Sequence, residues 1–529
     1  MKKYDAIVIG AGHNGLVNAS YLAKAGLKTL VLEKNPHIGG ASVTRELYPG
    51  FKYTNCSYVC SLFRPEIMRD LELSKHGLQV IPYEGGCTFT RDGDYLANFT
   101  DHEALRREYA RFSKKDAEAY DDFSTELMRH CRFIKPWLMR TPPDPTSKKI
   151  KDIRGLWQLY KDVSALDEEQ IYETLRFYTV SCGDYLDEFF ENDVIKGMIA
   201  GTSIIGTGLG PYSPGSAYVL LHHYMGEVDG AIGSWGFARG GMGAIADALA
   251  SSFKAKDGEI KTDCAVEDLI VKNGKAIGVV LDNGDEYYSD TIISNLDVKR
   301  TFLKVVDKSH LPDDFVTQVK NFKIRGSSGK LNISLDGMPT FPALPKGSNA
   351  TMGDMHITDS MERIERAYDD WKDKKWSKDP YVDMLIPTQI DPTMTPDGKH
   401  MMTVFVQYAP PELATGPWTD KDRTAFGETV INAIAEHSPD FKDLILHAEV
   451  RTPQDIENEA GLTSGNIFHG ELTLDQLLFN RPVPGYAQYR SPVPGLYMCG
   501  SSTHPGGGVM GAPGANAARE ILIDMGLTQ

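Results

Sequence analysis

The chain has 529 residues, of which 41% are apolar and 24% charged, and its formal net charge is −16. This length exceeds what one hydrophobic core usually serves, so at least two domains are expected. The acidic balance excludes nucleic acid as a main partner and predicts at most weak peripheral contact with a membrane, because phosphate-rich surfaces attract basic proteins.

Seven scattered cysteines are typical of a protein that is kept in a reducing compartment. The basic start Met-Lys-Lys is interrupted by Asp5 before the apolar core of a signal peptide could form. No apolar run is long enough to span a bilayer, so a cytoplasmic protein is expected. Cys56 and Cys60 form the only close pair. We interpret them as core or pocket thiols, with a redox dithiol as the alternative.

The first 33 residues predict a strand–helix–strand unit. Strands are predicted over 4–9 and 28–33, with a helix over 14–25 between them. The turn between the first strand and the helix has the spacing G-x-G-x-x-G. This spacing is typical of a dinucleotide-binding turn, in which glycines allow the pyrophosphate to approach the N-terminus of the helix.

An acidic residue, Glu33, ends the second predicted strand. A carboxylate at this position accepts hydrogen bonds from the ribose hydroxyls of an adenosine, and it would repel a 2′-phosphate. The predicted cofactor contacts in this part of the chain are Gly10, Gly12, His13, Asn14, Gly15, Glu33 and Lys34.

A second glycine pair, Gly39 and Gly40, follows shortly after this strand. It resembles the diglycine motif of the FAD-binding amine oxidase and phytoene desaturase superfamily. The resemblance implies FAD as the cofactor, with Ala41 and Ser42 also in contact with it. NAD as the sole bound nucleotide is the alternative. The arginines that usually flank the family's glycine pair are absent, and Arg45 is the nearest substitute.

The middle of the chain adds two further cofactor contacts. Charge-rich helical patterns fill 101–200, and the run 265–284 alternates about Asn-Gly turns, which predicts antiparallel hairpins. Val266 resembles the valine that the superfamily places beside the adenine. Asn295 ends another predicted strand and is the second contact.

The C-terminal segment from 495 to 514 combines a short apolar strand, a glycine-dense turn and the start of a helix near Ala515. It resembles the closing motif of bacterial carotenoid desaturases, which in that family lies along the ribityl chain and the flavin ring. Many flavoproteins have Gly-Asp at this turn, whereas Ser501 stands here, so its hydroxyl or a backbone N–H must serve. The predicted contacts are Gly500, Ser501, Gly508 and Val509.

The resemblance covers the first 80 residues, 230–300 and 460–529. Ser61-Leu-Phe-Arg-Pro65 and Gly465-Asn-Ile-Phe-His-Gly470 are similar to the branch of the superfamily named for a pyridine nucleotide-disulphide oxidoreductase domain. The paired active-site cysteines of the disulphide reductases are missing, since Cys56 and Cys60 differ from them in spacing and context.

Three residues are candidates for chemistry. His504 lies in the turn expected beside the flavin, where an imidazole could act as a base; stabilisation of the turn is the alternative. Tyr58 and Cys56 follow the diglycine motif toward the substrate side of the flavin, with core packing as the alternative. No metal site is predicted, because the neighbouring His222 and His223 do not share a helix face.

These patterns predict an α/β fold with a Rossmann-like FAD-binding domain of the glutathione-reductase and amine-oxidase type. That domain is expected to comprise 1–80, 236–300 and 480–529, and an inserted mixed α/β substrate or cap domain to comprise 81–235 and 301–479.

The resemblance implies a desaturase- or dehydrogenase-like FAD-dependent oxidoreductase. It would move hydride between FAD and a C–C or C–N bond of an apolar small molecule, and electrons would leave to oxygen, a quinone or another acceptor. The alternatives are a flavin amine oxidase that releases hydrogen peroxide and a non-catalytic FAD-binding interaction protein. A homodimer is compatible with the size and charge of the chain.

Overall fold

The computed structural model describes residues 3–527. Its strands, in chain order, are β1 (Ala6–Ile9), β2 (Thr29–Leu32), β3 (Thr44–Tyr48), β4 (Phe51–Thr54), β5 (Val80–Pro82), β6 (Cys87–Phe89), β7 (Tyr95–Ala97), β8 (Glu227–Val228), β9 (Ala231–Ile232), β10 (Gly236–Ala238), β11 (Glu259–Lys261), β12 (Val266–Lys272), β13 (Lys275–Leu281), β14 (Glu286–Tyr288), β15 (Ile292–Ser294), β16 (Ser328–Leu335), β17 (Met355–Ile357), β18 (Tyr381–Leu385), β19 (His400–Gln407), β20 (Ile445–Arg451) and β21 (Leu496–Met498). Its α-helices are α1 (His13–Lys24), α2 (Pro65–Asp70), α3 (His102–Phe112), α4 (Lys114–Leu138), α5 (Ile150–Ser164), α6 (Glu168–Phe177), α7 (Cys182–Asp187), α8 (Asp193–Ala200), α9 (Ser216–Tyr224), α10 (Gly243–Lys254), α11 (Val298–Arg300), α12 (Asp313–Asn321), α13 (Met361–Lys372), α14 (Asp420–Ala435), α15 (Phe441–Leu444), α16 (Pro453–Ala460) and α17 (Ala512–Asp524).

A five-stranded parallel sheet, in the order β11-β2-β1-β15-β21, forms one layer of the molecule. Its central strand β1 reads Ala-Ile-Val-Ile and is buried along its whole length, as expected of a parallel strand that is covered on both faces. One face packs against α1, α10 and α17, and the other packs against the antiparallel sheet β12-β13-β14. This arrangement confirms the predicted Rossmann-like α/β fold class.

A seven-stranded mixed sheet forms a second layer, in the order β20-β16-β19-β18-β17-β6-β7. Alternate residues of its inner strands belong to different cores. Val382 and Val404 pack with α14, whereas Tyr381 and Phe405 pack with helices from the segment between α3 and α9. Because side chains alternate along a strand, one face of this sheet is available to form a wall of the site described below.

The predicted elements of the first 33 residues are confirmed, with α1 beginning at His13 and ending at Lys24. Within 36–60, β3 and β4 pair as a hairpin, with Thr44 opposite Thr54. Pro49 and Gly50 form the turn of this hairpin, and Gly50 has φ +80°. The domain bounds stay a prediction. Within residues 3–527, every helix is too short or too polar to cross a membrane.

Candidate functional site

Glycines close the turn between β1 and α1. Gly10 has φ +96°, a backbone angle that residues with a side chain rarely adopt. A Cβ on Gly15 would lie 2.2 Å from the carbonyl oxygen of Gly10, and one on Gly12 would lie 2.8 Å from Nδ2 of Asn295. The contact of Gly15 is with backbone, so only glycine at this position lets α1 approach the end of β1 so closely.

The start of α1 opens onto a cavity of about 410 Å³, which we name the cradle cavity. Gly12 precedes the helix, and no side chain of residues 3–527 caps the first turn. The N–H groups of that turn and the positive end of the helix dipole therefore face a cavity that is lined by Gly10, Gly12, His13 and Asn14. Such a helix start attracts phosphate.

Glu33 follows β2 and lines the same cavity. One of its carboxylate oxygens accepts the N–H of Ala11 at 2.8 Å, and the other accepts the N–H of Asn35 at 3.0 Å. These bonds hold a buried carboxylate where the ribose of an adenosine is predicted. Val266 lines the same cavity, at the predicted position of the adenine.

The second glycine pair packs directly on the first turn. The N–H of Gly39 donates to the carbonyl oxygen of Ala11 at 2.9 Å, and a Cβ on Gly40 would lie 3.3 Å from Cα of Gly12. The hydroxyl of Ser42 donates to the carbonyl oxygen of Gly39 at 2.9 Å. The two glycine turns thus form one backbone cradle, and Gly40 and Ala41 line its cavity.

Arg45, the nearest substitute for the missing family arginines, has partners within the protein. It forms an ion pair with Glu459, and its Nη1 lies 3.0 Å from Nε2 of His37. The cationic side chains that line the cradle cavity are instead Lys34, Arg300 and Lys304.

The C-terminal turn completes the cradle from the far end of the chain. A Cβ on Gly500 would lie 2.7 Å from the carbonyl oxygen of Asn295, so glycine is required at this crossing. The hydroxyl of Ser501 accepts a hydrogen bond from Nδ2 of Asn14 at 3.0 Å. This bond joins the start of α1 to the turn predicted to follow the ribityl chain.

A fully buried guanidinium, that of Arg481, holds this C-terminal turn. It donates to the carbonyl oxygen of Ser501 at 2.7 Å and to that of Thr503 at 3.2 Å. Further bonds reach the carbonyl oxygens of Phe468, Gly470, Glu471 and Gln476. Burial lowers the pKa of Arg481 to about 10, so the group remains charged at neutral pH and ties two loops together.

A second cavity of about 110 Å³, the aromatic cavity, adjoins the cradle cavity. His13, Ala41, His469 and Ser501 line both. The other residues that line the aromatic cavity are Cys56, Ser57, Tyr58, Val59, Ser61, Leu62, Ile205, His223, Trp235, Phe405, Ile467, Phe468, Gly508 and Val509. Because most of these side chains are apolar or aromatic, the space suits an apolar ligand.

Lys330 fixes the segment that carries Cys56 and Tyr58. Its ammonium group is buried and donates to the carbonyl oxygens of Thr54 at 2.8 Å and Cys56 at 2.9 Å. It also lies 5.3 Å from the centroid of the Tyr58 ring. Burial lowers the pKa of Lys330 to about 7 and raises the pKa of the Cys56 thiol, which disfavours the thiolate.

Buried acids stand behind Tyr58. Its hydroxyl donates to the carboxylate of Asp383, and Nε2 of His356 lies 3.8 Å from the same carboxylate. Tyr83 donates to Asp354 at 2.6 Å. Burial raises the pKa of Asp383 to about 7, and burial with repulsion from Asp383 raises that of Asp354 to about 7. The cluster can therefore exchange protons near neutral pH.

His504 lies away from Tyr58 and Cys56. It lines a third cavity of about 60 Å³, the peripheral cavity, whose walls include Trp137, Tyr218 and Pro505. Nε2 of the imidazole lies 2.9 Å from the carbonyl oxygen of Trp137, and burial lowers its pKa to about 4. The structure thus separates His504 from the two cavities that meet at Ser501, and its catalytic role stays a prediction.

Most of the predicted cofactor contacts border the two adjoining cavities. The cradle cavity is lined by Gly10, Gly12, His13, Asn14, Glu33, Lys34, Gly40, Ala41, Val266, Asn295 and Ser501, and the aromatic cavity also by Gly508 and Val509. Gly15, Gly39, Ser42 and Gly500 lie behind this lining and shape the turns.

Sequence reasoning missed Lys330 and Asp383. Each is a charged residue inside a strand that is buried along its whole length, β16 or β18, and both are almost fully buried. This signal is readable in the sequence, because lysine and aspartate are rarely buried without a specific partner. Phe405 was missed for another reason: it contacts Tyr58 only because the mixed sheet packs against the segment that follows β4.

Residues 15–522 match the family described as flavin containing amine oxidoreductase. The chain belongs to this family, which confirms the predicted superfamily, and it is an FAD-dependent oxidoreductase of the amine oxidase and desaturase type.

Individual relatives span nearly the whole chain. Mouse pyridine nucleotide-disulfide oxidoreductase domain-containing protein 2 is 38% identical over 550 residues, covering 99% of this chain and 94% of the mouse protein. One of the subunits of limonene dehydrogenase from Castellaniella defragrans is 26% identical, covering 100% of this chain and 96% of that protein. The crystal structure of an oxidoreductase from Methanosarcina mazei shares the fold, with a TM-score of 0.60 at 18% identity over 98% and 99% of the two chains.

The cradle fits FAD on the geometry of its own residues. The glycine turns leave room for a pyrophosphate at the start of α1, and Glu33 is placed for an adenosine ribose. Among residues 3–527, Nε2 of His13 and Oδ1 of Asn14 are buried polar atoms that lack a hydrogen-bond partner. Both residues line the cradle cavity, and His13 also lines the aromatic cavity.

Proposed function

We propose that the chain is a flavin-dependent dehydrogenase or desaturase that removes two hydrogens from a largely apolar small molecule. The observation that carries this proposal is the aromatic cavity, which shares His13, Ala41, His469 and Ser501 with the cradle cavity. A flavin ring reaching this junction would face a space walled mainly by apolar and aromatic side chains. Such a space binds apolar ligands and excludes water.

When bound, FAD supplies the acceptor for a hydride from the substrate. The chain must then take up the proton that leaves the neighbouring substrate atom. We assign this role to Tyr58, whose hydroxyl would receive the proton while passing its own to the ionised carboxylate of Asp383. Lys330 holds the backbone of this segment in place. Two electrons leave with the hydride, and oxygen, a quinone or another acceptor would finally take them.

The pKa of Asp383 sets the expected pH dependence. Burial raises it to about 7, and only the ionised carboxylate can accept a proton. The rate of flavin reduction should therefore rise as the pH increases through about 7. Asp383→Asn should lower the rate and remove this rise.

A hydrocarbon substrate is supported by the similarity of this chain to a subunit of limonene dehydrogenase. Oxidation of an amine, with release of hydrogen peroxide, is the second candidate. It is supported by the family description and by the rings of Tyr58, Trp235, Phe405 and Phe468, whose faces could attract a cation. A non-catalytic FAD-binding protein is the remaining alternative.

Anaerobic mixing of the FAD-loaded protein with candidate substrates tests these functions. We expect limonene or a related apolar compound to bleach the visible flavin absorption, whereas bleaching by benzylamine, followed by peroxide release in air, would favour an amine oxidase. If neither class of compound reduces the flavin, the non-catalytic alternative is supported.

Tyr58→Phe tests the proton acceptor, because it removes the hydroxyl and keeps the ring. With whichever substrate is found, we expect FAD content to be unchanged and reduction to slow by about 10²- to 10³-fold. Tyr497→Phe is the matched control. Its hydroxyl donates to Asp524 at 2.9 Å outside the three cavities, so the rate should not change. An unchanged rate in Tyr58→Phe would remove Tyr58 from the proposed chemistry.

A further inference from the structure

Helix α5 (Ile150–Ser164) lies on the surface and is held there from its inner face. A Cβ on Gly155 would lie 2.8 Å from Cβ of Pro143, so the helix packs closely on the preceding segment. The buried carboxylate of Asp152 accepts hydrogen bonds from Nε2 of Gln488 at 2.7 Å and from the N–H of Asp144 at 3.2 Å. The orientation of α5 is therefore fixed by the body of the protein.

The outer face of α5 carries a stripe of large apolar side chains. Ile150 is 69% exposed, Ile153 54%, Trp157 55% and Tyr160 60%. Their spacing places them along one side of a helix, and the rings of Trp157 and Tyr160 stack with centroids 5.2 Å apart. We name these four residues the interfacial stripe. Together with Tyr172 and Leu175 of α6, they make up six of the twelve large hydrophobic side chains that residues 3–527 expose.

The charge around the interfacial stripe is opposite to that of the chain as a whole. Between 146 and 164 the two acidic residues are Asp152, which is buried, and Asp162, which forms an ion pair with Arg140. The basic residues of this segment are Lys148, Lys149, Lys151, Arg154 and Lys161, of which Lys151 forms an ion pair with Glu520 at 3.1 Å. Nζ of Lys161 lies 5.7 Å from the Trp157 ring centroid, so positive charge directly flanks the apolar stripe.

An apolar space lies under the same helix. Leu159 of α5 lines the peripheral cavity together with Trp137, Leu477 and Pro505. Pro505 belongs to the C-terminal turn that continues to Gly508 and Val509, which line the aromatic cavity. The C-terminal turn therefore borders both the space beneath α5 and the site of the proposed reaction.

We propose that α5 docks on the surface of a membrane that contains anionic lipid. The interfacial stripe would enter the headgroup region, where tryptophan and tyrosine are favoured, and the flanking lysines and arginine would contact lipid phosphates. The net charge of −16 opposes general attraction, so contact is confined to this helix. Entry of an apolar substrate from the lipid through the peripheral cavity is a second step, and it rests on the proposed function.

Co-sedimentation of the full-length, FAD-loaded protein with vesicles tests the docking. We expect binding to vesicles of equal parts phosphatidylglycerol and phosphatidylcholine, and binding at least about tenfold weaker to pure phosphatidylcholine. The double variant Trp157→Ser and Tyr160→Ser should lose about tenfold in binding to the mixed vesicles, with FAD content unchanged. Arg154→Glu with Lys161→Glu should also bind less and should lose the preference for anionic lipid.

The matched control replaces two exposed apolar residues elsewhere, Leu446→Ser and Leu474→Ser, which are 41% and 49% exposed in the native chain. This variant should bind vesicles as the native chain does. The proposal is overturned if the native chain binds neither vesicle or if the control loses as much binding as the stripe variant. It is also overturned if the stripe variant only converts a dimer to a monomer, which would make α5 an interface between two copies. Vesicle binding needs no turnover, so a failed reaction assay would leave this result intact.

Discussion

The cradle cavity and the aromatic cavity share part of their lining, but one is formed mainly by backbone and the other mainly by side chains. The cradle is mostly backbone: two glycine turns near the N-terminus pack on each other, and a third arrives from the C-terminus at Gly500. The aromatic cavity is mostly side chains, brought together from segments as distant as Tyr58, His223 and Phe405. A backbone site tolerates few changes at its glycines, whereas a side-chain site can change its ligand by single substitutions.

This difference separates what a family shares from what an individual member does. FAD binding follows from the glycine turns, and these are the features that carry the resemblance to amine oxidases and desaturases. The choice of substrate depends on the walls of the aromatic cavity, where the side chains of one member can differ from those of the next. Breaking the cradle should therefore abolish the cofactor, while changes around the aromatic cavity should spare it.

The largest effect is expected from Gly15→Ala. The added Cβ would lie 2.2 Å from the carbonyl oxygen of Gly10. This clash is with the backbone, which cannot move aside as the end of a flexible side chain could. We expect the purified variant to lack FAD altogether, as measured by its visible absorption and by flavin released on heating. Retention of one FAD per chain would show that the cradle does not depend on this contact.

Gly26→Ala is the control for that experiment. Gly26 also has a positive φ, +86°, but within residues 3–527 no atom lies within 4 Å of an added Cβ. The substitution should cost about 1 kcal/mol through backbone strain alone. FAD content should stay at the native level.

Arg481 tests how firmly the C-terminal turn must be held. In Arg481→Met the carbonyl oxygens of the turn, among them those of Ser501 and Thr503, lose a buried charged donor. We expect the free energy of unfolding to fall by about 3–5 kcal/mol, measured by denaturant titration of the FAD-loaded protein. Arg366→Met, at a side chain 74% exposed, should change it by less than about 0.5 kcal/mol. Equal effects of the two variants would contradict the assigned role of Arg481.

The sequence predicted the cradle well because its signals are local. The spacing of Gly10, Gly12 and Gly15, the acid at Glu33 and the second glycine pair each lie within a few residues of a predicted strand end. The aromatic cavity has no such local signal. Its partner for Tyr58, Asp383, lies 325 residues away along the chain, and only the packing of the segment after β4 against the mixed sheet brings the two together.

His504 is a second residue whose contacts could not be predicted from the sequence, as those of Asp383 could not. The sequence placed the histidine in a turn expected beside the flavin, but it could not show which way the imidazole points. The structure directs it to the carbonyl oxygen of Trp137 in α4, a partner on another element. A motif predicts where the backbone lies, whereas the direction of one side chain depends on packing between distant segments.

Asp383 allows a measurement of stability that needs no substrate. Burial raises its pKa to about 7 from an unfolded value of 3.8, so between these values the unfolded chain has released a proton that the folded chain still binds. The free energy of unfolding should therefore fall as the pH rises from about 4 to about 7, with a contribution from Asp383 of up to about 1.4 kcal/mol per pH unit. Asp383→Asn should gain stability relative to the native chain over this range.

The comparison is made by denaturant titration of both proteins at several pH values. Their difference in unfolding free energy should grow with pH and level off above about 7, because both states are then ionised at residue 383. Asp354→Asn should behave in the same direction, since burial and Asp383 raise its pKa as well. A difference that is constant with pH would mean that Asp383 is ionised in the folded protein throughout.

The smallest effect is expected at Cys56, a candidate for chemistry that lines the aromatic cavity. Its backbone carbonyl, not its thiol, accepts the hydrogen bond from Lys330, and burial raises the pKa of the thiol. Burial also raises the pKa of Cys60 to about 12, so neither thiol of this pair is activated. Cys56→Ser should keep the native FAD content. The rate at which substrate reduces its flavin should stay within about twofold of the native rate. If instead reduction fails while FAD stays bound, the thiol takes part in the reaction, and the aromatic cavity depends on a nucleophile as well as on the Tyr58–Asp383 pair.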